Sequence, residues 1–210
     1  MSICHIVGAG EMGGARIDMR PGDFLIAADA GYSEVLAQGL TPDLAVGDFD
    51  SLGSVPEGVE VVQHPVMKDD TDMMLAIKLG FENGFTRFFI YGALGGRLDH
   101  TLANIQALMY IANRGGQGWI IGDACLTAIH NGEARFKASA QGIISVFCLS
   151  EPAKGVTLEG LLYPLSDYTM LSDVALGVSN EFIGQPARVA VSDGTLVVHF
   201  GSIAQADITR

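Results

Sequence analysis

Short apolar runs alternate with amphipathic stretches from the N-terminus to about residue 130. The runs Ile3–Val7, Phe24–Ala28, Leu44–Val46, Val59–Gln63, Arg87–Tyr91 and Trp119–Ile121 are mostly apolar at successive positions. That is the pattern of strands covered on both faces in a parallel sheet. Between them, helical spacing predicts helices over Tyr32–Gln38, Thr71–Asn83 (Met74, Ala76, Ile77, Phe81) and His100–Asn113 (Leu102, Ile105, Leu108, Met109, Ala112). Strand, helix and strand in succession predict a doubly wound, mostly parallel α/β layer.

The pattern changes at Asn131-Gly132, which reads as a tight turn. Beyond it no long helical period recurs, and strands are predicted at Ile143–Leu149, Val156–Glu159, Ala175–Ser179, Arg188–Val191 and Leu196–Phe200. Asp193-Gly194 between the last two predicts a hairpin. The expected organisation is an α/β domain over residues 1–131 and an antiparallel β domain over 132–210, without a long linker between them.

A chain of 210 residues can bury a core without disulfides. Twelve Lys and Arg against 24 Asp and Glu give a net charge of −12, which disfavours nucleic acid and anionic membranes as partners. A small phosphorylated ligand fits if a divalent cation neutralises some of the carboxylates. Cys4, Cys125 and Cys148 are odd in number and lack metal-ligand spacing, so reduced, buried thiols are expected. The N-terminus has no basic leader and no apolar stretch is long enough for a membrane span, which predicts a cytoplasmic protein.

Two motifs suggest chemistry that the surrounding sequence does not support. Gly8-Ala9-Gly10-Glu11-Met12-Gly13 follows a predicted strand and precedes Asp29, as in dinucleotide-binding folds. Pro21-Gly22 leaves little room for the helix whose N-terminus would face a pyrophosphate. The segment therefore reads as a glycine turn beside the sheet, free to touch a nucleotide. Asp48-Phe49-Asp50 resembles the nucleophile motif of haloacid-dehalogenase-type phosphatases. Leu52 replaces the Thr or Val of that family, however, and Lys68, Asp69 and Asp70 are contiguous where it separates them.

Carboxylates accumulate where predicted strands end: Asp29, then Asp48 and Asp50, then Asp69, Asp70 and Asp72, then Asp99. Ligands of open α/β sheets bind at that edge. Each residue also has a local explanation: Asp70 or Thr71 as a helix cap, Asp50-Ser51 as turn chemistry, Asp99 as a partner of its helix dipole. His100 at a helix start reads as structural or catalytic. Several converging carboxylates repel one another, and an oxygen-only donor set suits Mg²⁺ shared with substrate phosphates. Lys68 and Arg97 supply cationic contacts to phosphate, and Gly92, Gly95 and Gly96 allow close backbone approach.

Val46-Gly47-Asp48-Phe49-Asp50-Ser51, Lys68-Asp69-Asp70-Thr71-Asp72 and Gly95-Gly96-Arg97-Leu98-Asp99-His100-Thr101-Leu102-Ala103-Asn104 resemble successive signatures of the thiamine pyrophosphokinase family. Gly160-Leu161-Leu162-Tyr163-Pro164-Leu165 and Val178-Ser179-Asn180-Glu181 resemble that family's β-domain motifs. The resemblance runs in order from Asp29 to Asn180. It implies an N-terminal nucleotide domain, a C-terminal β-sandwich, and a homodimer with composite sites. It also implies Mg²⁺-dependent transfer of a pyrophosphoryl group from ATP to the hydroxyl of thiamine, giving thiamine diphosphate and AMP. By motif position, Asp48, Asp50 and Asp72 would hold the metal. ATP and its phosphates would meet Asp29, Asp48, Asp50, Lys68, Asp69, Thr71, Asp72, Gly95, Gly96, Arg97, Asp99 and His100. Asp72, Asp99, Lys68 and Arg97 would act in catalysis, with Asp99 or Asp72 as proton acceptor, and Ser179 and Asn180 would help hold thiamine. The alternatives are a metal-dependent phosphohydrolase with Asp48 as nucleophile and a non-catalytic nucleotide-binding module.

Overall fold

The computed structural model describes residues 2–49, 58–63 and 70–207. In its first part, apolar runs form β1 (Cys4–Val7), β2 (Phe24–Ala28), β3 (Leu44–Gly47), β4 (Glu60–Gln63) and β5 (Arg87–Tyr91). β1 pairs in parallel with β2 on one side and β5 on the other, and β2–β3 and β3–β4 are also parallel. β1, β3 and β5 are buried along their whole lengths, as continuous apolar runs require.

Helices α1 (Gly31–Ala37), α2 (Asp72–Glu82) and α3 (Leu98–Asn113) fall where apolar spacing predicts them, displaced by one or two residues at the N-termini. α2 buries Met73, Ala76, Ile77 and Gly80, one stripe at helical spacing. A Cβ at Gly80 would stand 2.5 Å from Phe88, so glycine sets how closely this helix approaches the sheet. No helix follows the Gly8–Gly14 turn. Residues 15–20 instead run without regular structure, pinned where Ile17 N donates to Gln38 Oε1 at 3.0 Å.

By its internal contacts the chain divides into one unit of Met1–Ala107 with Ile120–Gly122, and another of Leu108–Trp119 with Asp123–Arg210. β6 (Gln117–Ile121) is shared between them.

The second unit contains β7 (Cys125–His130), β8 (Glu133–Phe136), β9 (Ile143–Cys148), β10 (Ala153–Glu159), β11 (Leu165–Met170), β12 (Asn180–Glu181), β13 (Ala187–Ala190) and β14 (Thr195–Phe200). One antiparallel group runs β12-β9-β14-β7 and the other runs β11-β10-β13-β8. Phe136 packs its ring against Phe182 and Phe200 at centroid distances of 5.3 and 5.0 Å, uniting side chains from both groups in one apolar core. The α/β-plus-antiparallel architecture agrees with the sequence expectation.

Two local expectations are corrected. Ala175–Ser179 is not a strand; residues 176–179 form turns, Gly177 O accepting one bond from Val146 N of β9 at 2.9 Å, and the ladder with β9 is formed by Asn180–Glu181. At Gly177 a Cβ would lie 2.2 Å from Val146 O, and Ser179 has φ 58°, so the segment abuts β9 as a loop. Asp193-Gly194 is not a hairpin either, because β13 and β14 belong to different sheets. It is a corner where the chain changes sheets, and Asn131 forms the matching corner between β7 and β8. Asn131 N donates to Gly194 O at 3.1 Å, while Gly194 N donates to Asn131 Oδ1 at 2.9 Å. The turn chemistry is local, but which strands flank the turn as partners is decided by the core.

Candidate functional site

Every strand of the parallel unit runs in the same direction, so the loops after β1, β2 and β5 and the start of α2 meet at one edge. There they enclose a cleft of about 400 Å³. Asp29, which lines it, closes β2 in the left-handed conformation (φ 50°), with its N–H donating to Val46 O at 2.8 Å. Gly47 at the end of β3 accommodates this, since a Cβ there would stand 3.2 Å from Asp29 Cα. Asp48 follows, half-buried, with Phe49 buried beside it at φ 57°.

The start of α2 contributes Thr71, Asp72 and Met73 to the cleft. Thr71 is the N-cap, its side chain accepting from Met74 N at 3.1 Å. Asp72 sits in the first turn, where the helix dipole favours a carboxylate. Asp70 turns instead to Lys78, at 2.6 Å. Thr71 thus performs the capping role open to it from sequence and also reaches the cleft.

The loop after β5 brings in Gly95, Gly96, Arg97 and His100. Gly95 and Gly96 have φ 81° and 61°, which disfavours side chains at both positions. Arg97 grips Asp99 through two bonds, Nε to Oδ1 at 3.1 Å and Nη2 to Oδ2 at 2.6 Å. The guanidinium holds the Asp99 carboxyl below its usual range, helped by the His100 N–H, and Asp99 in turn raises the guanidinium's affinity for its proton. Both side chains are largely exposed.

The cleft therefore gathers Asp29, Thr71, Asp72, Gly95, Gly96, Arg97 and His100. Asp48 and Asp99 are not among its lining residues, and Asp50, Lys68 and Asp69 lie outside the described residues. In the second unit, Ser179 N donates to Ser145 Oγ at 3.0 Å. Asn180 is 3% exposed and clamps the backbone of Tyr163, accepting from its N–H at 2.9 Å and donating to its carbonyl at 2.7 Å. The same Oδ1 accepts from Glu181 N at 2.9 Å. Asn180 thus fixes the loop that presents Tyr163, which is 64% exposed.

The cleft is also lined by Gly8, Ala9 and Gly10, in the turn that the sequence leaves free to touch a nucleotide, and by Ala93 and Asn104, to which sequence reasoning gives no role. Asn104 is buried and its amide donates to Ala93 O at 2.7 Å. Asn104 lies in the Gly95–Asn104 motif, which was its signal in the sequence, and the glycine turn lines the cleft without the helix of a dinucleotide site.

Two family models match this chain: "Thiamin pyrophosphokinase, catalytic domain" over residues 19–117, and "Thiamin pyrophosphokinase, vitamin B1 binding domain" over 135–196. The chain belongs to the thiamine pyrophosphokinase family. A thiamine pyrophosphokinase of Bacillus subtilis is 29% identical over 181 residues, covering 82% of this chain and 85% of the relative. Thiamine pyrophosphokinase 1 of rice is 27% identical over 173 residues, covering 74% of this chain and 64% of the relative. Among solved structures, the Bacillus subtilis thiamine pyrophosphokinase superposes with a TM-score of 0.82 at 27% identity, covering 97% of this chain and 100% of that one. The Geobacillus thermodenitrificans enzyme gives 0.82 at 28% identity, covering 95% and 97%. The catalytic-domain match spans every cleft residue from Asp29 to Asn104, and the B1-binding match includes Tyr163, Ser179 and Asn180. The Gly8–Gly10 turn precedes both.

Proposed function

We propose that this chain is a thiamine pyrophosphokinase, transferring a pyrophosphoryl group from ATP to the hydroxyl of thiamine and releasing AMP and thiamine diphosphate. The observation that carries this reading is the occurrence, in one chain, of both family domains, with the catalytic one gathering Asp29, Asp72, Arg97 and His100 around a cleft at the carboxyl edge of a parallel sheet.

Transfer to phosphorus passes through a loose transition state, so the protein contributes mainly alignment and charge neutralisation. Arg97 is the cation of the described cleft, and its grip on Asp99 holds the guanidinium in a defined orientation. Lys68 would add a second positive charge. Asp72 or Asp99 would accept the proton of the thiamine hydroxyl, and the cleft carboxylates would attract the positive thiazolium ring.

The donor set Asp48, Asp50 and Asp72 offers only hard carboxylate oxygens, which fits Mg²⁺. Among the described residues no three His, Cys, Asp or Glu side chains cluster closely enough to hold a metal ion. Coordination would therefore draw on Asp50 and on substrate phosphates, as Mg²⁺ sites commonly do. When bound, Mg²⁺ would neutralise phosphate charge.

A homodimer with sites completed by both chains belongs to the same proposal. Exposed apolar side chains are frequent between Leu162 and Ile183, including Tyr163, Tyr168, Leu171 and Val174, and such surface would favour association of two chains. A cytoplasmic setting accords with three free, buried cysteines; burial pushes the Cys125 thiol up to about 12. Among the described residues no helix is long and apolar enough to cross a membrane.

Purified protein incubated with ATP, Mg²⁺ and thiamine tests the reading. AMP and thiamine diphosphate in equal amounts are expected, with turnover abolished by excess chelator. Free phosphate as the product would identify a phosphohydrolase, and ligand binding without turnover a nucleotide-binding module.

A further inference from the structure

The β1 loop occupies a distinctive place in the parallel unit. From β1 the chain adds β2, β3 and β4 successively on one side, then returns to place β5 on the other side of β1. The direction of winding thus reverses between β1 and β5, and ligands of open α/β sheets bind outside the carboxyl ends of strands at such a reversal. The two loops that leave those strands are Gly8–Glu11 and Gly92–Arg97.

These loops are joined along their backbones. Gly8 N donates to Tyr91 O at 2.9 Å, Gly10 N to Gly92 O at 2.8 Å and Glu11 N to Leu94 O at 3.1 Å. The contact is too close for side chains. A Cβ on Gly8 would meet Gly92 O and Met73 Cε, both at 2.8 Å, and one on Gly10 would meet Gly92 O at 2.7 Å and Leu94 O at 2.8 Å. Asn104 secures the far loop through Ala93 O at 2.7 Å. The result is a wall held by backbone pairing, and Ala9, between the two glycines, is exposed and lines the cleft.

We infer that the Gly8-Ala9-Gly10 turn is the wall against which the nucleotide seats, and that the small side chain of Ala9 determines the room available to it. The inference deepens the function proposed above and rests on ATP as the donor. The glycines here serve a different end from those of a dinucleotide-binding turn. No helix follows them to face a pyrophosphate; they allow two loops to merge beside a cleft that Asp29, Asp72 and Arg97 also line.

The test uses Ala9→Leu and Ala9→Phe in the full chain, exposed substitutions that leave the loop pairing intact. A side chain intruding on a fitted pocket is expected to raise KM for ATP by roughly tenfold or more, with KM for thiamine and Tm unchanged. Unchanged KM for ATP, or a rise confined to thiamine, overturns the inference. Calorimetric titration with ADP in the absence of thiamine separates this from the function itself. Should the wild-type chain form no thiamine diphosphate, the function fails, yet ADP binding lost in Ala9→Leu still supports the wall. Equal ADP affinity in the two proteins, or none in the wild type, overturns it.

Discussion

The parallel unit and the antiparallel unit display functional residues by different means. In the first, strands are mostly apolar, His5 and Arg87 being buried exceptions, and the groups that line the cleft sit in the loops beyond the strand ends, where Asp29, Gly95 and Gly96 adopt positive φ. Its cleft is made by loops held at a sheet edge. In the second, two sheets close on the aromatic core of Phe136, Phe182 and Phe200, and what they present is the apolar stretch around Tyr163, held from beneath by Asn180. The described cleft of the first unit is lined by Asp29, Asp72 and Arg97, whereas the second exposes apolar side chains between Leu162 and Ile183. Substitutions at the loops of the first should therefore cost activity without stability, and substitutions in the core of the second should cost stability first.

Asp72→Asn is the sharpest way to break that contrast. The change is nearly isosteric and spares the Thr71 cap, so turnover should fall at least ~10²-fold, as when one preorganised electrostatic group is removed, with Tm retained in a thermal melt. An active variant, or an unfolded one, would return Asp72 to a purely structural role at the start of α2.

Next in size is complementation. Asp72→Asn and Asn180→Ala disable different units, so a mixed dimer would carry one doubly defective site and one intact site. Up to about half of wild-type activity per heterodimer should return on mixing, from the symmetry of a two-fold pair. If subunit exchange is confirmed and no activity returns, each site is contained within a single chain.

The β-sandwich core supplies the opposite case. Phe136→Ala should destabilise the chain by about 3–5 kcal/mol, the usual cost of removing a buried aromatic ring. Denaturant melts would show the loss, while molecules still folded retain their KM for ATP. A raised KM at full stability would mean that the second unit shapes the nucleotide cleft.

The smallest effect concerns Asp23, which precedes β2 and has a buried side chain. Its side chain accepts from Ile3 N at 2.8 Å and Arg20 N at 3.0 Å and faces His5 Nε2 at 3.3 Å. Burial opposes its ionisation, yet these bonds prevail and hold the carboxyl below its usual range. A depressed carboxylate stabilises the fold above its unfolded pKa of roughly 4 and loses that contribution as pH falls through the lower folded value. Asp23→Asn should therefore be less stable than wild type at neutral pH, with the gap narrowing in acid. A gap that widens on acidification would show that the carboxylate is not what these bonds favour.

The two units also differ in how much of them could be read from sequence. The strands and helices of the first were legible because a buried parallel strand is apolar at most positions on both faces and α2 repeats its stripe regularly, as at Met73, Ala76, Ile77 and Gly80. Asp29, Asp72 and the Gly95–His100 segment were legible because they directly follow those strands or open the helices. Ala9 was not, since its importance depends on β1 and β5 being neighbours, a pairing across more than eighty residues that no local pattern records. In the second unit β7, β8, β11 and the short β12 went unseen. β11 reads Leu-Ser-Asp-Tyr-Thr-Met, is mostly exposed and has no apolar face to betray it. Asp193-Gly194 carried a true turn signal, but whether a turn joins paired strands or hands the chain to another sheet depends on the core beneath it. Asn180 was selected as a ligand for thiamine, and the structure shows its amide engaged with the backbone of Tyr163 and Glu181.

In the proposed reaction a diphosphate unit moves intact from nucleotide to acceptor. ATP labelled at the β-phosphorus, supplied with thiamine and Mg²⁺, tests it most directly. The label should pass entirely into thiamine diphosphate and leave AMP unlabelled. Label recovered in ADP, with thiamine monophosphate as the other product, would show that only the terminal phosphoryl group moves and would contradict the account.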